Sequence, residues 1–176
     1  MSRMNLHIQT IKPVSISNEG NIEYSENDTF KSGVEISFLR NGSKNLSNVY
    51  YFSLDISNYN TETELNLRKL TENLNKVTTL VKSSSYCMHT DKYSTIRELT
   101  LNCSDMIVQD DTGIPFKFFN PEDWKIKTYG TYAAPISVFS MYKQSDLKDL
   151  INESAQPINF RFGYNNPSNI LVGRKN

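Results

Sequence analysis

Apolar and polar positions alternate most clearly over residues 33–40, where Val34, Ile36 and Phe38 interleave with Glu35, Ser37 and Leu39. A period of two marks a half-buried strand. Asn41-Gly42 follows, a pair that tolerates positive φ and predicts a hairpin. The return strand covers 48–57, with Tyr50, Phe52, Leu54 and Ile56 on one face and Val49, Tyr51, Ser53 and Asp55 on the other. Upstream, residues 5–12 form an extended pattern that Pro13 interrupts, which predicts an edge strand. Ser17–Gly20 reads as a turn, and the stretch 1–32 as loosely ordered N-terminal strands.

The period lengthens after residue 60. Thr61 and Glu64 have the spacing of a capping box, and Leu67, Leu70, Leu74 and Val77 make one helical stripe. Residues 78–89 fit a strand or a helical face equally. A second amphipathic helix over 92–103 turns Tyr93, Ile96, Leu99 and Cys103 inward, with Thr90, Asp91 or Ser94 as its cap. Met106–Gln109 reads as a strand, Asp110–Gly113 as a type I turn, and a further strand runs through Phe119. Asn120-Pro121-Glu122-Asp123 is a cap with a first helical turn, and Trp124, Ile126 and Thr128 alternate as another strand. Ser145 caps a short helix at 146–153 with Leu147, Leu150 and Ile151 inward. Strands at 158–164 and 170–174 close the chain. This order predicts an α+β fold: one domain over 1–176, built on a mainly antiparallel sheet with two to three amphipathic helices on one face.

Composition narrows the partners. The 176 residues carry 19 basic and 19 acidic side chains, a formal charge of zero. Without a clustered Lys/Arg excess, nucleic acid is not an expected partner. No apolar run approaches the ~20 residues of a membrane span, and the opening residues lack the apolar stretch of a signal peptide. Read by itself, the sequence suggests a soluble, cytoplasmic chain. Cys87 and Cys103 read as two small thiols rather than a disulfide framework.

Candidate chemistry is sparse. The sequence has no phosphate-binding glycine loop, no nucleophile elbow and no Cys-x-x-Cys, and its only histidines are His7 and His89. No metal or cofactor is expected. The most suggestive segment is Gln109-Asp110-Asp111-Thr112-Gly113-Ile114-Pro115, which gathers an amide, two carboxylates and a hydroxyl in one tight loop. Such a loop serves as turn chemistry, binds a cation through oxygen ligands, or holds an acid and a base. His89 precedes Thr90-Asp91, and a carboxylate near an imidazole fixes its tautomer for proton transfer. Arg97 lies on the second helix, where it is either a solvated residue or a partner for an anion or Asp110. Tyr129 and Tyr132 have apolar rings with polar tips, as suits a sugar or small-molecule cleft or a sheet face meeting solvent.

Several of these segments resemble a family of uncharacterised bacterial proteins, mostly predicted to be exported. The resemblance is carried by residues 50–57, Ser85-Tyr86-Cys87-Met88-His89, Ser94-Thr95-Ile96-Arg97, Ile107–Pro115, Tyr129-Gly130-Thr131-Tyr132 with Pro135-Ile136, Phe162-Gly163-Tyr164 and Ser168-Asn169. Family members carry Leu near Cys87, Ser near Thr112 and Phe before Gly130, where this chain has Tyr129. The resemblance implies a shared polar set of His89, Arg97, Gln109, Asp110 and Asp111, and a periplasmic or secreted setting. It implies no particular reaction.

Two functions follow as expectations. The first is a non-catalytic binding or structural module with an aromatic-lined, acid-containing cleft for a small molecule or glycan, using Gln109, Tyr129 and Tyr132. The alternative is a small hydrolase or lyase in which Asp110 or Asp111 acts as base, His89 as acid and Arg97 as anion anchor. The enzyme requires His89 and a carboxylate to converge on one hollow, with Arg97 beside the acidic loop.

Overall fold

The computed structural model describes residues 6–24, 32–74, 76–158 and 168–176. The fold is α+β, with two four-stranded sheets where the alternation suggests one. Contacts gather into two compact units, residues 1–56 with 60–73 and residues 57–59 with 74–176. The sequence pattern shows no boundary at these junctions.

The first unit contains β1 (Leu6–Ile16), β2 (Ile22–Tyr24), β3 (Gly33–Arg40), β4 (Leu46–Phe52) and α1 (Thr61–Asn73). Its sheet is antiparallel in the order β2-β1-β3-β4. The expected edge strand is therefore interior and runs straight through Pro13. Pro13 pairs with Val34 of β3, and among the described residues β2 pairs with Val14–Ile16. The hairpin around Asn41-Gly42 forms as expected, although its return strand is Leu46–Phe52. Val14, Phe38 and Leu70 are buried here.

One expected face is reversed in part, although Phe38 is buried as its period predicts. Glu35 and Ser37 are buried, whereas Val34 and Ile36 are only half-buried. The polar pair is tolerated inside because its bonds are made. Tyr24 Oη donates to Glu35 Oε2 at 2.7 Å and Ser37 Oγ to Oε1 at 3.2 Å. Lys12 and Tyr50 flank Glu35 across the neighbouring strands. Long side chains with apolar stems thus roof a carboxylate that the period alone assigns to solvent. The cap of α1 also moves: Asn60 Oδ1 accepts from Thr63 N at 3.1 Å, so Asn60 takes the place expected of Thr61.

The second unit contains β5 (Thr78–Val81), α2 (Ser94–Cys103), β6 (Met106–Gln109), β7 (Trp124–Gly130), α3 (Ser145–Ser154) and β8 (Asn169–Lys175). The sheet order is β5-β6-β8-β7, and β5 and β6 are parallel. A parallel pair needs a crossover, supplied by the 3-10 turns Ser84–His89 and Asp91–Tyr93 together with α2. The ambiguous stretch 78–89 is thus a strand followed by a tight turn. Ile107, Ile114, Leu147 and Leu171 are almost wholly buried, with Met88, Phe119, Trp124 and Ile151 around them.

Two features of this unit could not be read locally. None of the caps expected for α2 is used. Asn58 reaches across instead, accepting from Thr95 N at 3.1 Å and donating to Ser94 Oγ and the Asp91 carbonyl. The strand expected through Phe119 is a turn and a 3-10 helix, Phe116–Phe118. Strand β8 is the second of the two expected terminal strands. The first lies mostly in 159–167, outside the described residues. Cys87 and Cys103 form no disulfide. No helix among the described residues is long and apolar enough to cross a membrane.

Candidate functional site

The loop after β6 takes its shape from Gln109. This buried amide donates to the Ile114 carbonyl at 2.7 Å and accepts from Ile114 N at 2.9 Å. It pairs with Ile114 as a neighbouring strand would, which frees residues 110–113 to bulge outward. Gly113 is required at the closest approach: a Cβ there would stand 2.5 Å from Gln109 Oε1. Asp110 makes the expected turn, its carbonyl accepting from Gly113 N and its Oδ1 from Thr112 N. Its other oxygen pairs with Lys82.

Asp111 is positioned from three distant segments. Tyr86 Oη donates to its Oδ2 at 2.8 Å, and Asn169 Nδ2 to its Oδ1 at 3.2 Å. Gln144 Nε2 donates to its carbonyl at 3.0 Å, while Gln144 Oε1 accepts from Phe116 N at 2.7 Å. Asn169 meets Asp111 because the β6–β8 ladder ends at Gln109 and Leu171, so the start of β8 projects beyond β6. Tyr86 reaches in from a constrained turn: Ser85 and Tyr86 both have φ of 55°, the left-handed region that non-glycine residues avoid. Burial first, and then the Asp111 carboxylate, push the Tyr86 phenol upward, keeping it a donor.

These residues border a cleft of about 720 Å³ at the end of the sheet where β5 and β6 stop and β8 begins. Leu80, Val108, Ala133, Pro135, Ile136 and Ile170 make its apolar wall. Lys82, Tyr86, Gln109, Asp110, Asp111 and Asn169 make its polar end. Asn169 is 3% exposed, and its Oδ1 has no hydrogen-bond partner among the described residues.

The expected site residues divide. Gln109, Asp110 and Asp111 border the cleft. Tyr129 and Tyr132 do not, and the wall is aliphatic rather than aromatic. Tyr132 accepts from Gln144 N at 3.1 Å and packs against the core, while Tyr129 pairs with Ile170 within the sheet. Arg97 does not border the cleft. It is 5% exposed, donates to the Met88 and Thr90 carbonyls and lies 4.2 Å from the Phe118 ring centre. Its expected place beside Asp110 is taken by Lys82.

His89 lies near Asp111 but does not border the same cleft. It lines another hollow of about 530 Å³, with Lys117, Tyr142, Lys143 and Asp146. Its ring packs edge-on against Tyr86 at 5.1 Å and Tyr142 at 5.3 Å. Burial holds its pKa below the ordinary value, against the pull of the Asp111 backbone and carboxylate. Among the described residues no group of three or more His, Cys, Asp or Glu side chains is placed to hold a metal ion.

Tyr86, Lys82, Gln144 and Asn169 carry no signal in spacing or period that marks them for the site. Tyr86 and Asn169 do stand within segments that carry the family resemblance. Comparison with known proteins finds no matching family model, no similar curated protein and no similar solved structure.

Proposed function

We propose that the second unit is a non-catalytic binding module whose cleft takes a small organic molecule, apolar along most of its length and polar at the end that meets Asp111. The observation that carries this reading is the cleft's division: an aliphatic wall on one side and a cluster of pre-positioned polar groups on the other. Concave sites of this size, mostly apolar with a few fixed polar groups, suit small ligands. Pre-positioning also supports it, since Asp111 is held through its carboxylate by Tyr86 and Asn169 and through its backbone by Gln144. A glycan is the weaker ligand class, because sugars favour aromatic platforms and Tyr129 and Tyr132 lie elsewhere. The binding reading is preferred to the hydrolase alternative because His89 borders one hollow and Asp110 and Asp111 another.

The test is a titration of methyl-labelled protein with hexanol. Saturable shifts confined to the methyls of Leu80, Val108, Ala133, Ile136 and Ile170 are expected. Ile136 is well exposed, so Ile136→Asp should leave the fold intact and weaken the binding. No shift at those methyls, or binding unaffected by that substitution, defeats the proposal.

A further inference from the structure

We infer that the polar group received at Asp111 is a protonated amine. This rests on the binding reading above and specifies its ligand class. The argument is an account of donors and acceptors at the cleft's polar end.

Each described donor group there already serves an acceptor, the Lys82 ammonium having further N–H groups besides. Lys82 pairs with Asp110, the Tyr86 hydroxyl donates to Asp111, and Gln109 Nε2 donates to the Ile114 carbonyl. Acceptors remain. An ionised carboxylate offers about four lone-pair sites, and Asp111 Oδ1 and Oδ2 accept one described side-chain bond each. Asn169 adds a more specific shortage. Its Nδ2 faces the Asp111 carboxylate, and the reversed amide would set a carbonyl oxygen against that charge, so the hydrogen bond fixes the orientation. The Oδ1 of this buried side chain then lacks a donor among the described residues, in a residue that borders the cleft. A buried acceptor without a donor is unfavourable.

Formal charge points the same way. Among the described residues, Asp110, Asp111 and Lys82 give the polar end a net charge of −1. A carboxylate or phosphate ligand would meet that charge unfavourably. A hydroxyl supplies one donor but brings lone pairs of its own toward Asp111. An ammonium supplies three donors and no acceptor. One N–H engages Asp111 and another supplies the donor that Asn169 Oδ1 lacks, while the carbon chain lies along Leu80, Val108 and Ile136.

The experiment compares hexylammonium, hexanol, hexyltrimethylammonium and hexanoate at neutral pH, read from the cleft methyls. Charge-assisted hydrogen bonds are roughly twice as strong as neutral ones, so hexylammonium should bind about tenfold more tightly than hexanol. Hexyltrimethylammonium carries the charge but no N–H and should bind more weakly than hexylammonium. Hexanoate should not bind. Asp111→Asn should bring hexylammonium close to hexanol. Equal binding of hexanol and hexylammonium overturns the amine inference and leaves the binding module standing. Binding of hexyltrimethylammonium as tight as that of hexylammonium overturns the donation to Asn169. If none of the probes moves the cleft methyls, both the inference and the module fall. The wild-type comparisons decide the matter even where Asp111→Asn fails to fold.

Discussion

Gln109 and Gly113 show how much one contact determines. The Gln109 amide serves both polar groups of Ile114, and Gly113 has no Cβ because that amide lies where one would stand. Each buried polar group left unmet costs about 1–3 kcal/mol. Gln109→Ala should therefore lower stability by roughly 3 kcal/mol, read from the urea midpoint, since it strips both partners from Ile114. Gly113→Ala should also destabilise, through collision with the Gln109 side chain. In the Gln109→Ala background the collision with the amide is gone and only the Cβ of residue 109, at 2.9 Å, remains, so the two losses should be partly non-additive in a double-mutant cycle. Additive losses would show that the two residues do not act on each other. Arg97 makes the complementary point: a buried guanidinium that donates to the Met88 and Thr90 carbonyls holds the turn that carries Tyr86 and His89.

At the scale of elements, the crossover between β5 and β6 positions the site. Its tight turn places Tyr86 against Asp111, and α2 returns the chain into the parallel register with β5. The start of α2 depends on Asn58, whose amide binds Thr95 N, Ser94 Oγ and the Asp91 carbonyl. Loss of a helix cap costs about 0.5–2 kcal/mol. Asn58→Ala should fall at the upper end of that range, because three contacts go together, and it should raise amide exchange most at Thr95 and its neighbours. Exchange at Thr95 that stays as in the wild type would contradict the capping role. Gln144 has a different part. It precedes α3 yet makes no side-chain cap, and ties Asp111 to Phe116 instead.

Across the whole molecule, each unit carries its own acid-sensitive group. Glu35, in the first unit, is pushed up by burial but pulled down further by the hydroxyls of Tyr24, Tyr50 and Ser37 and the charge of Lys12, so it lies below its ordinary 4.5. It stabilises the fold above that value, and the contribution is lost as pH falls through the folded pKa. His89, in the second unit, is held below its ordinary 6.5 chiefly by burial. Between the unfolded and folded values only the unfolded chain takes up the proton. Stability therefore declines as pH drops through 6.5 and is independent of this group above it. In urea titrations across pH, His89→Phe should remove the slope just below 6.5 and keep the slope below 4.5. Glu35→Gln should do the reverse. A slope below 6.5 that survives His89→Phe would show that another group causes it.

Much of the fold was legible along the chain. The hairpin after residue 33, the Leu67–Leu70 half of the expected helical stripe (the helix ends at Asn73, before Leu74 and Val77), the turn at Asp110–Gly113 and the alternation from Trp124 all rest on neighbours a few residues apart, which is where period and turn preference act. The candidate site was legible only in part. Gln109, Asp110 and Asp111 stood out because they adjoin, but Tyr86, Gln144 and Asn169 are 25, 33 and 58 residues from Asp111. The partly reversed face of β3, the cap from Asn58 and the inward turn of Arg97 share that cause. Side-chain period and backbone preference are local and belong to the sequence by itself. Which polar groups are enclosed, and which partner each one meets, depends on segments that only the folded chain brings together.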